Sequence, residues 1–311
     1  MTLPTGTTGA HEELELTDDG VRLVSLTFGI NLYTSQSFYD RPQQVLDTFD
    51  IFQGQCPVDH LSFYATETMK VHKPVNKRVL GMPATWLAPG AARKHYVALE
   101  LKAAALAQDA PTSKYELWAE DADTQQANIV SMALPWNLGR DQPDQMLALV
   151  AQLADAFAFR CGLAGYSFEC SRYDKRASET HAWSNSMRHR GVDIVRIPLD
   201  ARAVGSEGIK GVGWLTLLDA QTQQALGGAQ AIRKRLSKAI EMVQCTHGVI
   251  LKAGDAPALG DVNRGDSLPL YREVYDLLAP RIELAADDSM ALQLGKDAIS
   301  KTEDWFVRLR T

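Results

Sequence analysis

Residues 96–134 read YVALELKAAALAQDAPTSKYELWAEDADTQQANIVSMAL, and this stretch decides the fold class. It holds three runs rich in β-formers, Tyr96–Leu101, Tyr115–Ala119 and Ile129–Leu134, separated by polar linkers. Strands that follow one another so closely pair antiparallel, because a parallel connection needs a crossover of a dozen or more residues. The stretch therefore predicts an antiparallel meander. Upstream, Val21–Tyr33 alternates at a period near two and predicts another strand. Residues 37–53 place Phe38, Val45, Leu46, Phe49 and Phe52 on one helical face, with Pro42 in the first turns.

Downstream, residues 141–159 read as the clearest helix. Asp141 is its expected cap, Pro143 sits in its first turn, and Gly162 is its expected terminator. Strands follow at 166–170, 192–197 and 211–218, and a strand or hairpin at 242–252. Helices are expected at 174–189, from Asp219 to Gly227-Gly228, and at 229–238, 268–278 and 300–309. Strands adjacent in sequence, interspersed with helices, favour α+β: mixed, largely antiparallel sheets with packed helices. The expected organisation is a flexible acidic arm (1–20), an α+β domain (21–285) divisible into packed halves 21–170 and 171–285, and a C-terminal extension with a short helix (286–311).

The chain has 311 residues, 45% hydrophobic and 23% charged, which suffices to bury a full core. Its net charge is −6, and the acidity lies in the first half: residues 1–165 carry 12 Lys and Arg against 19 Asp and Glu. Such a balance argues against direct nucleic-acid binding, and suits either plain solubility or a basic protein partner. Cys56, Cys161, Cys170 and Cys245 are scattered with no C-x-x-C pair, as expected of reduced thiols in a cytoplasmic protein. The N-terminal residues lack the basic and apolar regions of a secretory signal, and no run is apolar enough for a membrane span.

Searches for chemistry fail one by one. GYSFE at 165–169 lacks the second glycine of a nucleophile elbow, so Ser167 reads as a strand serine. GVGWLT at 211–216 lacks the third glycine of a dinucleotide fingerprint. His181 and His189 are eight apart with no third metal ligand at a suitable spacing. Arg233, Lys234, Arg235 and Lys238 read as a solvated helix face. No catalytic residue, metal or cofactor is expected. The segment ELWAEDAD at 116–123 stands out instead: Glu116, Glu120, Asp121 and Asp123 surround Trp118 with no basic residue. An acidic rim around an aromatic anchor suits a protein-binding surface. A buried Trp118 followed by an acidic turn explains the same residues.

Three blocks carry a resemblance: FGINLY at 28–33, MRHRGVDI at 187–194 and, strongest, GVGWLTLLDAQTQQALGG at 211–228. Over residues 20–285 the chain resembles the TsiV-like type VI secretion immunity proteins, formerly a domain-of-unknown-function family. The resemblance implies an antitoxin that meets its partner in the cytoplasm and neutralises a secreted toxin, a nuclease acting on a cytosolic target, by occluding its active or substrate-binding site. It implies no enzymatic activity and no residue-by-residue contacts. Two other readings remain: a hydrolase-like enzyme with an unrecognised site, which predicts a deep pocket of convergent polar groups, and an effector adaptor or chaperone.

Overall fold

The longest run of β-formers, Val21–Thr34, becomes the axis of the molecule. The computed structural model describes residues 13–67, 69–120, 125–282 and 291–310. Its strands are β1 (Leu16–Asp18), β2 (Val21–Thr34), β3 (Phe63–Thr66), β4 (Lys73–Pro74), β5 (Tyr96–Ala103), β6 (Ser113–Glu120), β7 (Asn128–Pro135), β8 (Cys161–Cys170), β9 (Asp193–Ile194), β10 (Leu215–Asp219), β11 (Ile240–Cys245) and β12 (Gly248–Ala253). They form one 12-stranded sheet in the order β11-β12-β10-β8-β2-β7-β6-β5-β3-β4, with β1 on β2 and β9 on β8. Every pairing is antiparallel except β8 with β9. The fold is α+β, and the meander β5-β6-β7 lies where the sequence places it. Segments on both sides of residue 170 share this one sheet, joined through β8, which pairs with β2 from Val24↔Cys170 to Tyr33↔Cys161.

The helices are α1 (Pro42–Gln53), α2 (Lys77–Leu80), α3 (Met82–Trp86), α4 (Trp136–Asp141), α5 (Pro143–Ala156), α6 (Lys175–Arg188), α7 (Ile197–Val204), α8 (Ala220–Ala225), α9 (Ala229–Arg235), α10 (Pro269–Leu278) and α11 (Ala298–Phe306). On one face of the sheet, Tyr115 of β6 packs against Phe49 and Phe52 of α1 at ring-centroid distances of 4.9 and 5.5 Å. Its hydroxyl meets Thr48 Oγ1 at 2.8 Å, which satisfies both groups in the core. A second cluster joins Val24, Leu26 and Phe168 to Ala182 of α6 and to Trp305 and Phe306 of α11.

Several boundaries differ from expectation for physical reasons. The helix expected at 141–159 forms as α5 over Pro143–Ala156, and the separate short helix α4 ends just before it at Asp141. Gln142 precedes Pro143, and a residue before proline is pushed out of the α region; it sits at φ −140°, ψ 51°. Asp141 caps nothing, because its carboxylate is held by its neighbour Arg140 at 2.6 and 3.0 Å. Gly162 does not end α5, which stops before Phe157 (φ −121°, ψ 122°); the glycine lies inside β8. The strand expected at 192–197 shrinks to Asp193–Ile194, because α7 begins at Ile197. Residues 1–12 of the expected arm lie outside the described residues, but Leu14 is buried and β1 already pairs with β2, so sheet structure begins before Val21.

Candidate functional site

Strand alternation sends Lys114, Glu116, Trp118 and Glu120 of β6 to the face opposite the Tyr115 core. Cross-strand register then builds a charged surface: Lys102 of β5 lies opposite Lys114, and Glu100 opposite Glu116. Charged side chains inside strands are costly unless paired or hydrogen-bonded, and here each is one or the other. Lys114 Nζ stands 3.0 Å from Glu116 and 2.8 Å from Glu169 of β8. Glu100 is approached by His72 Nε2 at 3.1 Å and by Arg172 at 2.6 Å. Lys102 Nζ donates to the carbonyls of Ala107 (3.0 Å) and Asp109 (2.6 Å). Glu179 of α6 pairs with Arg196.

These groups line a cleft of about 350 Å³. Its walls are set by the β5–β6 loop and by the turn from β8 into α6. Asp109 fixes the loop by accepting the Arg22 N–H at 3.0 Å and the Leu106 N–H at 2.9 Å. Ser171 Oγ donates to Gln108 O at 2.6 Å and ties the turn to that loop. The three exposed large apolar side chains of the described residues lie in chain segments that lead into the cleft: Val71 between Lys70 and His72, Tyr173 after Arg172, and Leu106 in the β5–β6 loop. Tyr173 is anchored, since its hydroxyl accepts the His72 N–H at 3.0 Å.

Burial and pairing compete at each titratable group. Burial pushes the Glu169 carboxyl up and Lys114 only partly restores it, leaving it at about 7, and its Oε1 has no hydrogen-bond partner among the described residues. Burial also raises Glu100, but Arg172 and His72 outweigh it and hold that carboxyl well below the usual range. Burial pulls Lys102 down to about 8. Lys114 goes the other way, because Glu116 and Glu169 overcome the cost of burial. The Cys170 thiol, which also lines the cleft, is pushed far up by burial and is no nucleophile at neutral pH. Among the described residues no group of three His, Cys, Asp or Glu side chains is placed to hold a metal.

The residues singled out in the sequence divide. Glu116, Trp118 and Glu120 share one face of β6, with Glu116 in the cleft wall. Trp118 stacks near Tyr96 at 5.8 Å, and Glu120 lies 3.4 Å from His95. Asp121 and Asp123 lie outside the described residues. Ser167 is a buried strand serine whose Oγ meets Thr27 Oγ1 at 3.0 Å. His181 contacts the Leu14 carbonyl at 3.0 Å, and Arg233 donates to the Ile240 and Leu236 carbonyls, so both fasten local structure. Sequence reading missed Glu100, Lys102, Lys114, Glu169 and Arg172. The available signal was charge inside the strands, at Glu100 and Lys102 of β5, Lys114 of β6 and Glu169 of β8; Arg172, in the turn after β8, gave none.

The family comparison gives this site its context. A family model described as type VI immunity for VRR-NUC (TsiV) matches residues 44–309. The chain belongs to the TsiV family. That match contains every residue of the cleft. In fold, this TsiV-family chain is similar to the Pseudomonas aeruginosa T6SS protein PA0821, with a TM-score of 0.77 at 20% identity, covering 95% of this chain and 87% of that one. At that identity the likeness speaks for the fold. A search of curated proteins found no match. Among the described residues no helix is long and apolar enough to cross a membrane.

Proposed function

We propose that this TsiV-family protein neutralises a cognate VRR-NUC toxin in the cytoplasm by binding it one-to-one and occluding its active or substrate-binding site. The observation that carries this reading is the family match over residues 44–309, whose description is type VI immunity for VRR-NUC. The contact surface is the charged cleft, the exposed apolar side chains of the segments leading into it, and the stripe of Glu116, Trp118 and Glu120 that runs on from it along β6. Anchored aromatic and apolar groups around a polar centre are what a tight interface needs. Asp121 and Asp123 extend the same acidic segment in sequence.

The enzyme reading draws on one observation: the cleft does gather polar groups, and Glu169 is strongly shifted. Burial accounts for that shift without any catalytic role, since the carboxyl lies in the interior and Lys114 only partly offsets the cost. Ser171 spends its hydroxyl on Gln108 O, and among the described residues the Cys170 thiol is held protonated by burial.

The test is capture of the tagged chain from its native host, followed by purification of the VRR-NUC protein that co-elutes. Its DNA cleavage, titrated with this chain, is expected to stop at one equivalent. Complex formation with cleavage intact would replace the immunity reading with the adaptor reading. Turnover of the VRR-NUC protein by substoichiometric chain would favour the enzyme.

A further inference from the structure

The cleft is unbalanced in charge, although the chain as a whole is acidic. Six cations line it, Lys70, Lys102, Lys114, Arg172, Lys175 and Arg196, against four carboxylates. All four carboxylates are engaged: Glu100 by His72 and Arg172, Glu116 and Glu169 by Lys114, and Glu179 by Arg196. The cations are not. Among the described residues Lys70, Lys102 and Lys175 make no ion pair, and the Lys102 ammonium is held by two backbone carbonyls instead. Burial lowers both Lys102 and Lys175; Glu100 offsets part of this at Lys102 and Glu179 part at Lys175, while Arg172 and Lys114 add to it at Lys102 and Arg196 at Lys175.

We propose that this cleft receives a carboxylate side chain, Asp or Glu, of the bound toxin, with Lys70, Lys102 and Lys175 as its partners. The proposal rests on the toxin-binding function above and names the chemistry of one contact. A cationic side chain would meet the unpaired ammonium groups. A phosphodiester backbone wants a track of Lys and Arg, whereas this cleft keeps four carboxylates of its own, and exposed apolar side chains adjoin its residues in the chain, Val71 beside Lys70 and His72 and Tyr173 beside Arg172. A single carboxylate matches both the small excess of charge and the apolar side chains that adjoin the cleft residues in the chain. The unpartnered Glu169 Oε1 adds a donor whenever that carboxyl is protonated.

The test uses the full chain and the VRR-NUC protein recovered by capture. In K70E/K175E both substituted groups reach solvent, and Lys175 is the first residue of α6, where an acid suits the helix dipole, so the fold is kept. Lys234→Glu with Arg235→Glu, exposed on α9 near the β11 edge, changes net charge equally at a distant place. Calorimetry is expected to show K70E/K175E weakened at least about tenfold, the order of one lost charge-assisted contact, and the α9 variant changed far less. Carbodiimide treatment of the wild-type complex, which joins amines to touching carboxylates, is expected to link Lys70, Lys102 or Lys175 to an Asp or Glu of the toxin. Equal affinity of K70E/K175E and wild type, or equal weakening by both variants, would overturn the carboxylate site and leave toxin binding standing. Retention of a short oligonucleotide by the wild-type chain alone, lost in K70E/K175E, would overturn it in favour of a phosphate site. Wild-type chain that does not bind the VRR-NUC protein would remove the proposed function and this inference together.

Discussion

Lys114 Nζ lies 2.8 Å from Glu169 Oε2 with the two side chains 5% and 4% exposed, so β6 and β8 are tied by a buried ion pair although β7 and β2 separate them in the sheet. Lys114 also holds Glu116 at 3.0 Å, which makes one ammonium the counter-charge of two carboxylates. Removing it leaves both acids uncompensated. Lys114→Met keeps the bulk and deletes the charge, and breaking a buried pair in this way costs about 3–5 kcal/mol. Urea denaturation of K114M is expected to show a loss of that order with the m-value unchanged. A loss under about 1 kcal/mol, the size typical of exposed pairs, would mean that the pair is solvated.

The same pair gives stability a pH dependence. Glu169 titrates at about 7 in the fold because it is buried, above the unfolded value of about 4.3. The folded state therefore holds this proton more tightly. The resulting stability is fully present below about pH 4 and is lost as pH rises through about 7. Asp200, raised to about 7 by burial, acts in the same direction, so the wild-type curve alone cannot assign the effect. Glu169→Gln removes only the Glu169 part. The melting temperature of E169Q relative to wild type is expected to rise between pH 5 and pH 8. A difference that is flat across that range would place the Glu169 pKa near its ordinary value.

Gly213 and Gly211 make a matched pair for testing the strongest family block. A Cβ on Gly213 would lie 2.8 Å from the Ala164 carbonyl oxygen of β8, a backbone atom with little room to move. A Cβ on Gly211 would meet nothing within 4 Å. Gly213→Ala is expected to cost about 1–3 kcal/mol, as overpacking does, and Gly211→Ala to stay within about 0.5 kcal/mol. Thermal melts of the two variants side by side check this. Equal effects would mean that Trp214 and β10 can shift away from β8 at no cost.

What the sequence revealed and what it hid follow from range. Alternation along β6 separates Tyr115, Leu117 and Ala119 from Lys114, Glu116, Trp118 and Glu120, and that much is local. The meander β5-β6-β7 is local too, because its strands follow one another in the chain. That Lys114 meets Glu169 depends on sheet order, with β2 inserted between β7 and β8, and nothing near either residue encodes that. The start of α5 was legible in Pro143 and in the apolar period from Met146 to Phe157, whereas the short α4 that ends at Asp141 was not. Glu116 read as part of an acidic surface; its commitment to Lys114 needed the fold. The cleft drew on segments around Lys70, Lys102 and Arg172, which only the tertiary structure brings together.

Tyr173 is the side chain on which the binding surface can be tested with least disturbance to the fold. It is 38% exposed next to the cleft residue Arg172, and its hydroxyl is held by two contacts to His72, the backbone N–H at 3.0 Å and Nδ1 at 3.3 Å. Anchored aromatics at the middle of an interface carry much of its energy, commonly 2 kcal/mol or more on truncation, or about thirtyfold in affinity. Tyr173→Ala is therefore expected to weaken binding of the VRR-NUC protein by at least that factor, mainly through faster dissociation, while the melting temperature falls only slightly. Glu120→Gln, at the far end of the β6 stripe and 3.4 Å from His95, is expected to slow association modestly and to leave dissociation nearly unchanged, as a rim charge does. Surface-plasmon traces of both variants separate the two rates. Wild-type kinetics for Y173A would move the interface away from the cleft, and wild-type association for E120Q would remove the β6 stripe from it.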